Sequence, residues 1–315
     1  MDVKINKKVK ANRKKGYTPV NNFQLLTLCI IPMLLLFVFN YLPIGGIIIA
    51  FKNYRFDKGI FGSEWVGMEN FSFFVHSDDF LKITWNTIYL NLLMIVFGMI
   101  AAVLLAVVLY DISSRNATKT YQTILITPNF LSWVVVGYIA YAFFNPSYGL
   151  INSFLNCMGI ESVDIYSEPK AWPAILIAFS VWKNVGMDSV IYYSALMGID
   201  SEIFEAAEID GASRRHIVWY IMIPSLMPIL TVMFILKIGS IFRADFGLFY
   251  QLTRDIGTLY STTDVIDTYI FRTMRVIGDM GVSAAVGLMQ SVVGFVMVVA
   301  TNAIVKKIDP ERGLF

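Results

Sequence analysis

The chain has 315 residues, of which 57% are hydrophobic and 15% charged, with a formal net charge of +2 and a mean hydropathy of +0.63. An ordinary soluble domain carries about 25% charged residues, so this composition excludes one and points to a protein that crosses a bilayer several times. Cys29 in an apolar run and Cys157 in a polar stretch suggest no disulfide framework.

Residues 1–24 carry Lys4, Lys7, Lys8, Lys10, Arg13, Lys14 and Lys15 against Asp2. They are expected to form a basic cytoplasmic tail that fixes orientation. The run that follows is too long for a cleavable signal peptide and no small-residue cleavage site follows it. Residues 25–305 read as the membrane domain, an all-α fold with six runs long enough to cross a bilayer, at 25–51, 85–110, 121–144, 171–193, 217–238 and 282–305. Pro32, Pro43, Gly45 and Gly46 predict a kinked or unwound outer end for the first run. Pro128, Pro224 and Pro228 predict bends in the third and fifth.

The loops add detail. Residues 52–84 are rich in aromatics, among them Tyr54, Phe56, Phe61, Trp65 and Phe71, as suits a segment lying along the outer interface. The long segment 239–281 mixes aromatics with Arg243, Asp245, Arg254, Asp255, Asp264 and Asp267. It reads as an outer loop, either solvated or receiving a binding protein. In the last run Ala284, Gly287, Ser291 and Gly294 form a small-residue stripe suited to close helix packing within the subunit. Residues 306–315 are expected to be a cytoplasmic C-terminal tail. With both termini inside, the inner segments hold more Lys and Arg than the longer outer ones, as the positive-inside rule requires.

The short polar gap at 199–215 then falls on the cytoplasmic side. Asp200 or Ser201 can cap a helix there, Glu202, Glu205 and Glu208 cluster on one arc, and Ile199, Ile203, Ala206 and Ala207 share a neighbouring one. Gly211 suits the left-handed residue that stops such a helix. By itself this is either a docking helix or an ordinary amphipathic connector.

Polar groups at membrane depth are few. Trp182, Lys183, Asn184 and Asp188 lie in the fourth run, Lys237 near the outer end of the fifth and Gln290 in the sixth. Charges there should face the protein interior, a partner or water, and Trp beside Asn and Lys can stack on a sugar while bonding its hydroxyls. Simple packing for Trp182 and snorkelling for Lys237 are the plainer alternatives.

Glu205-Ala206-Ala207, then Gly211, then Ile221-Met222-Ile223-Pro224 closely resembles the EAA loop of permease subunits of binding-protein-dependent ABC importers; Ile223 stands where Leu is usual. Tyr41-Leu42-Pro43-Ile44-Gly45-Gly46, Trp65-Val66-Gly67-Met68-Glu69-Asn70-Phe71, Asn145-Pro146-Ser147-Tyr148-Gly149-Leu150 and Asp264-Val265-Ile266-Asp267-Thr268-Tyr269 are similar to the polysaccharide and oligosaccharide branch of the maltose-type family. The resemblance implies a type I ABC importer permease fold with an amphipathic cytoplasmic coupling helix, in a bacterial plasma membrane. It implies coupling through Glu205, Ala206, Ala207, Asp210, Gly211 and Pro224. The implied partners are a second, non-identical permease, two ATPase subunits that use ATP and Mg, and an extracellular substrate-binding protein.

No phosphate-binding Gly-x-x-x-x-Gly-Lys-Ser/Thr occurs, so this chain cannot itself be the ATPase, and no cofactor of its own is expected. Nor is catalysis or a metal site: His76 and His216 fall on opposite sides, and Ser283 has no histidine in any span as its base. The competing function is a secondary transporter or channel acting alone. Such proteins commonly show inverted repeats and midplane carboxylates, whereas no repeat is visible here and Asp188 is the one acid well inside a run.

Overall fold

The computed structural model describes residues 19–309; most of the basic N-terminal tail and residues 310–315 lie outside that range. The first run forms α1 (Pro19–Leu36), a wider π-type turn at Phe37–Tyr41 and a tighter 3₁₀ stretch at Leu42–Phe51. The expected unwinding is therefore a change of pitch, with helical winding kept to Phe51. Pro43 begins the tight stretch, where its missing N–H is no loss.

The segment after it is folded. Strands β1 (Lys52–Asn53) and β2 (Glu64–Trp65) pair antiparallel, Lys52 opposite Trp65. The Lys52 amine is buried and donates to the carbonyls of Ile60, Phe61 and Ser63 at 2.7, 3.2 and 3.2 Å. Helix α2 (Glu69–Val75) follows, and Asn70 ties it back by donating to the carbonyls of Ala50 and Lys52.

Helix α3 (Phe80–Tyr110) is 31 residues long, about 46 Å at 1.5 Å per residue, and has no proline. It packs along α7 (Trp172–Leu196) as the central pair of the bundle. The third run departs from a straight span. Helix α4 (Arg115–Ile126) runs through a 3₁₀ turn at Thr127–Phe130 and is followed by α5 (Trp133–Phe144) at an angle of 95°. Pro128 starts the turn, Leu131 is extended, and the Ser132 hydroxyl accepts the Val135 N–H to begin a new helix. Each α-helical arm has 12 residues, about 18 Å, so neither alone crosses a hydrocarbon core of about 30 Å. Helix α4 reaches α7 at Gly186, where a Cβ would collide with the Leu125 carbonyl.

Helix α6 (Leu150–Cys157) lies between α5 and α7. Helix α8 (Ser201–Ile209) sits in the polar gap. The fifth run begins with Arg214–Ile217, widens into a π-type turn at Val218–Met222 and continues as α9 (Ile223–Gly239). Pro224 thus opens α9 rather than bending its middle, while Pro228 lies inside it. The last span is α12 (Met280–Ile308). Part of its small-residue stripe packs as expected: a Cβ on Gly294 would lie 3.0 Å from the Gly239 carbonyl, whereas Gly287 faces open space.

The largest departure is the segment 239–281, which is no loop. It contains α10 (Phe246–Thr253) and α11 (Ile266–Arg272), and Ala244, Leu248, Phe249, Leu252, Leu259 and Val265 are buried in the main core with Leu90, Val136, Trp172 and Leu176. Several of its charges are matched internally. Arg272 donates to both Asp264 oxygens at 2.5 and 2.6 Å and to Asp255 at 3.1 Å. Burial opposes the Arg272 charge, but the bonds and charge of Asp264 outweigh it and raise the guanidinium pKa. Helix α3 holds the insert from one side: Asn86 donates to the carbonyls of Ser261 and Asp264, Asn91 to those of Ile241 and Arg243, and Thr87 accepts the Ile266 N–H.

Candidate functional site

The polar gap folds as a short capped helix. Asp200 accepts the Glu202 N–H at 3.1 Å to open α8. Gly211 closes it at φ +79°, with the Ala212 N–H on the Ala207 carbonyl at 2.9 Å and the Gly211 N–H on that of Glu208 at 3.0 Å. This pair of bonds is a Schellman ending, which satisfies carbonyls that would otherwise be left without donors.

The two faces of α8 correct the sequence reading. Phe204 is 9% exposed and lies 5.4 Å from the Tyr110 ring at the end of α3. Ala207 packs beside it, in a core with Ala106, Tyr192, Leu196 and Ile217. Ala206 lies on the other side: at 100° per residue Glu202, Ala206 and Ile209 point away from Phe204, and Ile209 is 86% exposed, Ile203 49%. The two alanines, about 100° apart around the helix, therefore face different surroundings, one against the bundle and one exposed. Past Gly211, Arg214 forms an ion pair with Asp111, its Nε 3.0 Å from Oδ2. Phe204, Tyr110 and Asp111 were missed from sequence, although an aromatic breaking a run of small and acidic residues was a signal.

A second polar constellation lies between α3, α7 and α9. A cavity of about 360 Å³ is lined by Asn91, Ser180, Asn184, Asp188, Lys237 and Arg243, among others. Lys237 does not snorkel outward: its amine donates to Asp188 at 2.9 Å, linking α9 to α7. Of the sequence candidates, Asn184 and Asp188 line this space. Lys183 is buried beside it, donating to the Asn129 carbonyl at 2.6 Å with its amine 5.2 Å from the Trp133 ring centre. Trp182 lies on an exposed face, 43% accessible. Asn129 donates to Asn184 at 3.1 Å, and the Trp133 indole to Asp245 at 2.6 Å. The break between α4 and α5 brings Asn129 and Trp133 to this place, and no sequence pattern signals it. Gln290 serves the fold, donating to the Phe242 carbonyl and to Asp267.

A loop of this form, on a bundle of this form, matches a known group of proteins. Residues 94–310 fit the family described as the binding-protein-dependent transport system inner membrane component. The chain belongs to that family. It is 35% identical to protein LplB of Bacillus subtilis (strain 168) over 92% of this chain and 91% of LplB. It is 31% identical to YteP of the same organism, a polygalacturonan/rhamnogalacturonan transport system permease protein, over 97% of this chain and 95% of YteP. Among solved structures, it resembles a chain of a bacterial ABC transporter involved in import of the acidic polysaccharide alginate, with TM-score 0.82, 29% identity and coverage of 92% and 97%. A second structure of the alginate transporter, in complex with its alginate pentasaccharide-bound periplasmic protein, gives TM-score 0.80 and 30% identity, with coverage of 92% and 96%. The permease is thus a multi-pass membrane protein with the type I importer fold of a sugar ABC permease.

Proposed function

We propose that this permease forms half of the translocation pathway of an ATP-driven oligosaccharide importer, and that α8 is its coupling helix. The observation that carries the reading is the two-faced build of α8: Phe204 and Ala207 fix it to the bundle while Glu202, Ala206 and Ile209 are offered to a partner. A small residue between acids and an exposed isoleucine suits a cleft that supplies apolar contact and arginines. In this reading two separate ATPase subunits bind ATP and Mg and grip the helix, and both termini of the permease are cytoplasmic. In the same reading a second permease completes the pathway beside this chain. An external binding protein delivers the substrate, which passes the cavity of Asn184 and Asp188.

The test is uptake and ATPase rate in the reconstituted complex. Glu205→Lys is expected to leave membrane insertion intact while lowering uptake and transport-coupled ATPase activity at least 10-fold. Normal coupled uptake in that variant overturns the coupling role, and saccharide transport by this chain without ATP points instead to a transporter acting alone.

A further inference from the structure

Away from the central cavity, α5 and α10 enclose a second polar pocket of about 210 Å³, lined by Val134, Gly137, Tyr138, Tyr250, Gln251 and Arg254. Its α5 residues fall in the first half of that helix, the part nearer the break at Leu131. Its edge is strained. Arg254 and Asp255 are consecutive non-glycine residues in the left-handed region, at φ 56° and 53°, and each such residue costs of order 1–3 kcal/mol. Asp255 is held there by Arg272 at 3.1 Å and by the Tyr260 hydroxyl at 2.9 Å. Arg254 lies over the Tyr141 ring, 4.1 Å from its centre. It is exposed and makes no ion pair among the described residues.

A guanidinium stacked on a ring keeps its N–H fork free in its own plane, the geometry that grips a carboxylate with two parallel bonds. Around it, Tyr138 is 67% exposed, Tyr250 is half-buried, and Gln251 carries both an amide donor and an acceptor. Aromatic faces and an amide are what a pyranose ring with its hydroxyls needs. We infer that this pocket is a subsite for an anionic sugar, in which Arg254 pairs with a uronate carboxylate and Tyr138 and Tyr250 pack against the ring. The inference rests on the saccharide-import reading and adds the charge of the substrate.

The test uses the assembled transporter in nanodiscs and in proteoliposomes, with trigalacturonate and its fully methyl-esterified form as probes. Arg254→Gly removes the guanidinium and also relieves the left-handed strain, so its thermal midpoint should equal or exceed the wild type. Its affinity for trigalacturonate should fall about 10-fold or more, with the ester unaffected, and Arg254→Lys should retain part of the preference. Equal loss for acid and ester, no loss for either, or a defect confined to docking of the external binding protein overturns the subsite. If wild-type vesicles take up neither saccharide, the import reading fails, while acid-selective binding that Arg254→Gly abolishes still upholds the subsite.

Discussion

Gly211 is the residue on which α8 depends for its ending. At φ +79° a side chain meets its own carbonyl, and left-handed backbone costs an L residue roughly 1–2 kcal/mol. A β-branched residue is worse, although nothing in space obstructs a Cβ there. Gly211→Val is therefore expected to leave the bundle folded but fray the end of α8, lowering coupled ATPase activity and uptake while expression stays near normal. The Asp188–Lys237 pair makes a different prediction. Both side chains are about a quarter to a third exposed, so the energy at stake is below that of a fully buried pair, where removing one partner costs about 3–5 kcal/mol. Asp188→Asn should lower the thermal midpoint by leaving Lys237 unmatched. Adding Lys237→Met should restore stability, and if it does not, the pair has no structural role.

At the scale of elements, the split of the two alanines gives a paired experiment. Ala206→Trp places bulk on the outward face and should block partner binding with little change in stability. Ala207→Trp drives bulk into the contact with α3 and should destabilise the permease itself. Co-purification with the ATPase and thermal unfolding in detergent read the two effects separately, and identical behaviour of the two variants contradicts the two-faced helix. Helix α4 offers a simpler check. Gly186→Val pushes the Leu125 carbonyl away from α7, so it should pull Asn129 and Trp133 off Asn184 and Asp245, which line the central cavity, and abolish uptake, even if the chain inserts.

For the molecule as a whole, the long apolar runs were legible because bilayer thickness sets their length and composition. So was the α8 ending, since a glycine after an acid-rich amphipathic stretch readily takes the left-handed conformation that stops a helix. Two features were not. The segment 239–281 read as an outer loop, solvated or receiving a binding protein, because its charges looked exposed, yet in the fold Arg272, Asp264 and Asp255 neutralise one another and Asp245 accepts from Trp133. A sequence names charges without their partners. The break at Leu131 was hidden in the same way, since Pro128 announces a bend but not its 95° angle or what it brings to the cavity.

Helix α3 is the longest unbroken helix among the described residues, at 31 residues. One end, at Tyr110 and Asp111, touches α8 and Arg214, and the opposite third holds the insert by Asn86, Thr87 and Asn91. Helix α9 meets the same end of the bundle through a wide turn and carries a proline, so it can yield under load. Helix α3 has no such joint. In the coupling reading proposed above it acts as a stiff pushrod: a shift of α8 at one end reaches the backbone carbonyls of the insert at the other in a single rigid step. Asn91→Leu, which cuts the rod loose from Ile241 and Arg243, should then uncouple ATP hydrolysis from uptake while leaving the binding of the ATPase intact.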